Sequence, residues 1–534
     1  MSAPLLFLSK RAAALIAMAA SLMAAVAVMQ HYLRGRLYYP NVVIGTRDNM
    51  SLEFLNEGVS RVEECQAIAA TIANTVRAGC PTCRIVKQQC TAELESRHRK
   101  LLSDEPIPAP SSRFPKGVVA YLSDDPELAL ASCRDAERQA SAGPGYRATC
   151  FPPDSRRPLF ATPIPQSQST LESATRGLFL LILTALASAF TGFLILRYQD
   201  LHGHWSSDPV DAGPQKFHAT PTPRIGGLGV MAGLLISGAA LRVIERGSSS
   251  EPFGYLVFAS LPAFLGGISE DATKSVSVAA RLALTMLAAA AGVWFLGAVI
   301  PRLDVPGFDA LLKWAPFAIA FTVFAVGGVA NSINIIDGYN GLAAGHSIIA
   351  LAAFAWVSAV VGDEFLFFSA LAMAGALIGF LVWNYPGGRI FLGDGGAYLL
   401  GFWLGETGVL IVARHPEVSP WFPLLLLVYP IFETVFSMYR RKVVQGLSPG
   451  RPDRHHLHQM IYGYLTRRMP SASVDPTRTN SRVAPFGWLM TLACAVPAVA
   501  FWRQTQWLVT ASAVFCAAYL LIYGWLSRSN GDRA

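Results

Sequence analysis

The sequence predicts an all-α polytopic membrane protein, an eleven-helix core plus one N-terminal anchor helix. A small disulfide-rich α+β domain is expected outside the membrane. Three observations predict this class. Apolar residues make up 52% of the 534 and charged residues 15%, against roughly 25% charged in an ordinary soluble protein. Twelve apolar runs approach the length of about 20 residues that a membrane helix needs. Six of the eight cysteines fall in one polar stretch, from Cys65 to Cys150. The composition excludes a disordered chain and argues against a soluble enzyme. The net charge of +8 does not form a nucleic-acid surface. Nine Lys and Arg lie between Arg440 and Arg482, beside an apolar run, where a positive-inside loop would place them. No nucleic-acid partner is expected.

The runs lie near 12–30, 177–197, 225–244, 253–268, 279–300, 314–333, 341–361, 365–383, 393–412, 420–439, 485–502 and 506–526. The run at 253–268 is the shortest. Residues 1–30 read as a membrane anchor, or else a signal segment, since small residues surround Ala24–Ala27. Residues 31–176 form the separate domain, 177–526 the multi-span core and 527–534 a short cytoplasmic tail. The separate domain has Pro-rich stretches at 106–110 and 151–154 and holds Cys65, Cys80, Cys83, Cys90, Cys133 and Cys150. That density suits an oxidising compartment and up to three disulfides, with fifteen connectivities open. Cys80-Pro-Thr-Cys83 has redox spacing, but no thioredoxin-like pattern surrounds it, so structural disulfides are the preferred reading. Helices are expected near 58–79 and 85–102 and a short strand at 117–122.

Orientation follows from charge. Lys10 and Arg11 precede the first run and favour a cytoplasmic N-terminus. Residues 31–176 then face outward. The loops 198–224, 269–278, 384–392 and 440–484, and the turn after 333, face the cytoplasm.

Five polar clusters interrupt the apolar pattern, and an ionisable group at membrane depth usually marks a site. The first, 216–230, offers Lys216, His218 and Arg224 before the glycines Gly226, Gly227 and Gly229. The second holds adjacent acids, Glu270 and Asp271, with Lys274 four residues on from Glu270. The third spaces Asn331, Asn334 and Asp337 by three, along one side of a helix. The fourth sets Asp394 among Gly393, Gly395 and Gly396, with Asn384 and Arg389 nearby; an acid there also suits a helix N-terminus. The fifth places His455, His456 and His458 after Asp453 and Arg454. All five fall on the cytoplasmic side of the counted topology. Acids, cations and glycines converging on one face describe a site for Mg2+ and phosphate.

In order along the chain, PTPRIGGL at 221–228, the acidic pair, NxxNxxDG at 331–338, FxGDxG at 391–396 and DRxHLH at 453–458 resemble the polyprenyl-phosphate N-acetylhexosamine-1-phosphate transferase family, its O-antigen and exopolysaccharide-initiating branch above all. The resemblance covers roughly 177–526. It implies transfer of a sugar-1-phosphate from a UDP-N-acetylhexosamine to undecaprenyl phosphate, with release of UMP and initiation of a cell-surface glycan. It implies Mg2+, with Mn2+ as a substitute. It implies catalytic roles for Asp271, Glu270 and Asp337, metal binding by Asp394 and Asp271, and substrate binding by Asn331, Asn334, Lys216, Arg224, Asn384, Arg454, His456 and His458. It implies a bacterial inner membrane with a cytoplasmic site and 31–176 in the periplasm. That domain has no counterpart in the family core, and a glycan or protein partner suits it. A homodimer is compatible with the sequence. Three positions depart from the family pattern: Glu270 where many members have Asp, Asn340 where some have an acid, and Gln459 where some have His. Two rival readings remain at this stage: a lipid or ion transporter, and a non-catalytic scaffold or receptor. A transporter should leave polar groups through the membrane depth, and here only Glu406 and Glu433 lie deep.

Overall fold

The computed structural model describes residues 38–530 apart from 47–49, 57–58, 60–61, 81–82, 92–108, 115–116, 142–148, 152–166, 209–220, 245–248, 449–452, 454 and 469–475. The anchor run at 12–30, Lys216, His218 and Arg454 therefore lie outside the described residues. The chain divides into two compact units that part between Thr170 and Leu171.

The first unit carries β1 (Tyr39–Gly45), β2 (Ser51–Asn56), α1 (Val62–Gly79), β3 (Arg84–Thr91), β4 (Ser111–Phe114), β5 (Gly117–Leu122), α2 (Pro126–Ser141) and β6 (Thr149–Phe151). Its sheet runs β3-β1-β2-β5-β4-β6, antiparallel throughout. The order discloses a duplication. Each half is a hairpin, a helix and a third strand that returns beside the hairpin's first strand. The halves meet through β2 and β5, where Glu53 pairs with Ala120 and Phe54 with Val119. Alternation puts Val42, Ile44, Leu52, Phe54, Val119 and Tyr121 on one face. Ala69 and Ala73 of α1, and Ala129 and Cys133 of α2, cover that face. Disulfides Cys65–Cys90 and Cys133–Cys150 each tie a half's helix to its last strand, and Cys80–Cys83 closes the turn after α1.

The expected helix at 58–79 and strand at 117–122 are present. Of the segment read as a helix at 85–102, residues 85–91 are instead part of β3, because they pair with β1 and Cys90 is bonded to α1, and 92–102 lie outside the described residues. Its helix-like spacing yields to those non-local ties.

The second unit is helical: α3 (Ser167–Arg197), α4 (Gly227–Ile244), α5 (Ser250–Thr273), α6 (Val278–Leu296), α7 (Ala315–Ile336), α8 (Leu342–Val361), α9 (Glu364–Asn384), α10 (Gly393–Arg414), α11 (Trp421–Leu426), α12 (Val428–Tyr439), α13 (Leu457–Arg468), α14 (Ala484–Ala500) and α15 (Thr505–Asn530), with short helices at Gln199–Ser206, Pro306–Leu312 and Pro476–Ser481. Ten of these are long and apolar enough to cross a membrane. The run at 420–439 is also helical but breaks at Leu427 into α11 and α12. Pro430 explains the break, since it offers no amide to Leu426 and its ring crowds that carbonyl. The run at 253–268 grows to residues 250–273, which puts Glu270 and Asp271 in the last turn of the helix. The last helix passes 526 to Asn530, whose buried amide donates to the Met460 carbonyl at 3.0 Å.

α9 and α10 are the innermost helices, buried along nearly their whole length. α10 packs closely on α4, α5 and α7 because glycines line the contacts, those of α4 and α5 facing it and its own Gly401 lying against Ala330 of α7. A Cβ on Gly267 of α5 would collide with the Asp394 backbone, and one on Gly227 would come within 2.5 Å of the Gly396 amide.

Candidate active site

The start of α10 organises the site. Gly393 takes a φ of 76°, and a Cβ there would collide with the Arg224 carbonyl and approach Asp271 Oδ2 to 2.5 Å. Only glycine suits both the angle and the space. The first amides of a helix have no partner inside it, and no neighbouring side chain caps α10. Asp271 supplies the cap from α5. Its Oδ1 accepts from the Asp394 amide at 3.0 Å and its Oδ2 from the Gly395 amide at 2.9 Å. Asp271 is fully buried. An acid at a helix N-terminus also meets the positive end of the helix dipole.

The Asp394 side chain is met by three segments. Asn334 Nδ2 on α7 donates to Oδ1 at 3.1 Å, and Arg224 Nη2 lies 3.4 Å from the same oxygen. Arg281, near the start of α6, donates to Oδ2. Arg224 also stands 3.7 Å from Asp271 Oδ1. Backbone bonds deliver Arg224 to this place. Phe391 N donates to the Pro223 carbonyl at 2.8 Å, and Gly226 N and Gly227 N donate to the Phe391 and Leu392 carbonyls at 2.9 Å. The segments before α4 and α10 are thus zipped together.

Asp337 follows the last residue of α7 and is half-buried. Burial, then the Asp394 charge, hold its carboxyl well above the ordinary range, with Arg224 opposing. Beyond Asp337 the chain meets the histidines. Gly338 lies against the His458 ring, and the Tyr339 ring stands edge-on to it with centroids 5.5 Å apart. His458 is buried, its Nδ1 has no hydrogen-bond partner, and burial lowers its pKa to about 3. His456 stacks on it at 5.4 Å. Glu433 of α12 accepts from His456 at 2.9 Å, from the Leu457 amide at 3.1 Å and from the Tyr519 hydroxyl at 2.7 Å. Asp453 pairs with Arg440, whose Nη1 also donates to the His455 carbonyl at 3.0 Å and the Tyr523 hydroxyl at 2.7 Å. Burial alone would raise the Asp453 pKa, but His456 and Arg440 outweigh it and hold the carboxyl below the usual range.

The structure therefore gathers Arg224, Asp271, Asn334, Asp337 and Asp394, with His456 and His458 along the same wall. Other expected residues serve nearby. Asn384 bridges two turns, accepting from the Gly341 amide at 2.6 Å and donating to the Ile390 carbonyl at 2.9 Å. Glu270 points to its own loop, accepting from the Val276 amide at 2.7 Å, and the Lys274 amine donates to the Asp271 carbonyl at 2.7 Å. Asn331 lies one turn before Asn334 on α7, half-buried. Asn340 ties the Pro386 carbonyl at 3.2 Å, and its amide donates to Asn480 at 2.8 Å. The sequence reading passed over Arg281 and the anchoring roles of Glu433, Arg440 and Tyr519. Arg281 left a signal, a lone cation inside an apolar run.

Among the described residues no three His, Cys, Asp or Glu side chains gather to hold a metal by themselves. Asp394 and its neighbour Asp337 are hard oxygen donors. That set fits Mg2+, which takes one or two carboxylates and completes its shell with water and substrate phosphate.

Residues 253–412 match the family model described as glycosyl transferase family 4. The chain is 30% identical to an undecaprenyl-phosphate alpha-N-acetylglucosaminyl 1-phosphate transferase of Thermotoga maritima, over 60% of this chain and 89% of that protein. It is 31% identical to a probable undecaprenyl-phosphate N-acetylglucosaminyl 1-phosphate transferase of Bacillus subtilis, over 48% of this chain and 70% of the relative. The alpha-N-acetylglucosaminyl enzyme of Escherichia coli K12 is 29% identical over 53% of this chain and 76% of its own length.

Proposed function

Because this chain belongs to the polyprenyl-phosphate N-acetylhexosamine-1-phosphate transferase family, we propose that it transfers an N-acetylhexosamine-1-phosphate from a UDP-sugar to undecaprenyl phosphate. A phosphate oxygen of the lipid attacks the sugar-bearing phosphorus. The bond from that phosphorus to the oxygen bridging the two phosphates breaks, and UMP leaves with that oxygen. The product is undecaprenyl-diphosphate sugar, the first lipid intermediate of a cell-surface glycan of the O-antigen or exopolysaccharide kind. The protein is a multi-pass membrane protein. The reading places it in a bacterial inner membrane, the site facing the cytoplasm and residues 31–176 facing the periplasm.

The observation that supports this reading best is the convergence on Asp394. Residues from four separate motifs, 224, 271, 334 and 394, lie within hydrogen-bond or ion-pair distance of one another. Phosphoryl transfer asks a protein for positioning and for fixed charge. Asp394 and Asp337 would hold Mg2+, which, when bound, neutralises charge on the phosphates. Asn331 and Asn334 line the nucleotide side. Arg224, with Lys216 and Arg454 from outside the described residues, binds phosphate. His456, aimed by Glu433, and the neutral His458 continue the wall beyond Asp337 as hydrogen-bond donors. Asp271, fully buried under the amides of α10, acts by fixing where Asp394 stands. Glu270 holds the loop after α5.

Purified protein supplied with undecaprenyl phosphate, a panel of UDP-N-acetylhexosamines and Mg2+ should release UMP with at least one donor, and EDTA should stop it. Asp394→Asn should be inactive although folded. Release that ignores both lipid and metal, or full turnover by Asp394→Asn, would sink the assignment.

A further inference from the structure

Asp394 is a proposed metal ligand whose two oxygens are both taken. Asn334 and Arg224 converge on Oδ1 and Arg281 on Oδ2. Among the groups in direct contact, two carboxylates (Asp271 and Asp394) face two guanidiniums, with Asp337 nearby as a third acid. A divalent cation added to that set would leave positive charge in excess in a partly buried place, at a cost. The diphosphate of a nucleotide sugar carries two negative charges and would offset that excess. Arg281 is also half-used. It spends one amine on Asp394 while its Nε is buried with no hydrogen-bond partner. A guanidinium fork with a spare donor suits a phosphate. Both arginine side chains keep some exposure, 28% for Arg224 and 17% for Arg281, so each has room to turn.

We propose that Arg281, with Arg224, binds the diphosphate of the donor and rests on Asp394 until a divalent cation takes its place. This rests on the transferase reading. Asp394 exchanges guanidiniums for the metal, and the guanidiniums exchange Asp394 for phosphate oxygens. Metal and nucleotide therefore enter as a pair, each binding poorly alone. The resting ion pairs keep the acids from capturing stray cations between turnovers.

Equilibrium dialysis of Mn2+ and radiolabelled UDP on the full chain in lipid nanodiscs tests the exchange, corrected for the Mn2+–UDP complex in solution. In the unaltered protein UDP should tighten Mn2+ binding by about tenfold, and Mn2+ should tighten UDP binding by the same factor. In Arg281→Gln, Mn2+ alone should bind about tenfold tighter than in the unaltered protein, and the coupling to UDP should shrink. Arg281→Lys keeps the charge, so it should bind Mn2+ alone as the unaltered protein does; it serves if the Gln variant does not fold. Mn2+ affinity unchanged or weakened in Arg281→Gln overturns the exchange. So does binding of Mn2+ and UDP without mutual effect, an outcome that leaves the transferase reading standing. Folded protein that binds neither would overturn both.

Discussion

At Asp271 a buried acid finds its donors on another helix. The cap spans 123 residues, from Asp271 to the amide of Asp394. Replacing it with Ala leaves two buried amides unmet, at about 1–3 kcal/mol each. Asp271→Ala should therefore melt well below the unaltered protein and lose transfer with it. Asp394→Asn should lose transfer yet melt closer to the unaltered protein, since its partners are partly exposed. Melting curves and UMP release on the two variants check this, and the reverse order of melting temperatures would refute the division of labour. His458 gives a pH signature. Its folded pKa is depressed to about 3 from an ordinary value near 6.5. The unfolded chain takes up that proton first as pH falls. The contribution is thus complete above about pH 6.5 and is lost toward pH 3, at up to about 1.4 kcal/mol per pH unit. His458→Gln should flatten the fall of melting temperature between pH 6.5 and 4.5; an unchanged slope would show that other groups carry it. The residues themselves were legible in the sequence as acids, amides and imidazoles at membrane depth. Their division into cap, ligand and wall was not. A cap supplied from another helix leaves no local spacing, and Arg281 looked like a stray cation.

Among elements, α10 shows how glycines set the site. Gly393 and Gly446 share a left-handed φ, 76° and 65°. A Cβ on Gly446 meets open space, whereas one on Gly393 meets Arg224 and Asp271. Gly446→Ala should cost about 1 kcal/mol, the strain of the angle alone. Gly393→Ala should cost more and should abolish transfer, because the start of α10 must move away from Asp271. Equal melting temperatures for the two would count against this packing. α13 is held another way, by Glu433 receiving its Leu457 amide, His456 and Tyr519. Among the described residues the apolar runs fell where the helices are, because lipid-facing and buried surfaces both demand apolar residues. The break at Leu427 was also readable, from Pro430. What composition hid was the length of α5, whose polar last turn reads as a loop until Asp271 is seen to be buried.

For the whole molecule, the sheet unit is two hairpin–helix–strand halves, each stapled. The loops closed by Cys65–Cys90 and Cys133–Cys150 span 25 and 17 residues, and that closed by Cys80–Cys83 spans 3. Removing either long staple should cost about 3 kcal/mol, and removing the short one less. Paired Cys→Ser variants, followed by proteolysis of the first unit, would show the order; equal sensitivity would contradict it. The duplication escaped the sequence because the halves share a pattern of elements and few residues, and strand β3 depends on a partner far off in the chain. The cap on α10 has one more consequence, and it concerns time. The amides that Asp271 receives are made 123 residues after it. At 5–20 residues per second a ribosome needs roughly 6–25 s to reach them. During synthesis Asp271 has Arg224 and water within reach but neither of the amides it caps, so the end of α5 waits at the membrane surface until α10 arrives. The site is assembled last, and a nascent chain halted before residue 393 carries the acid still in reach of solvent.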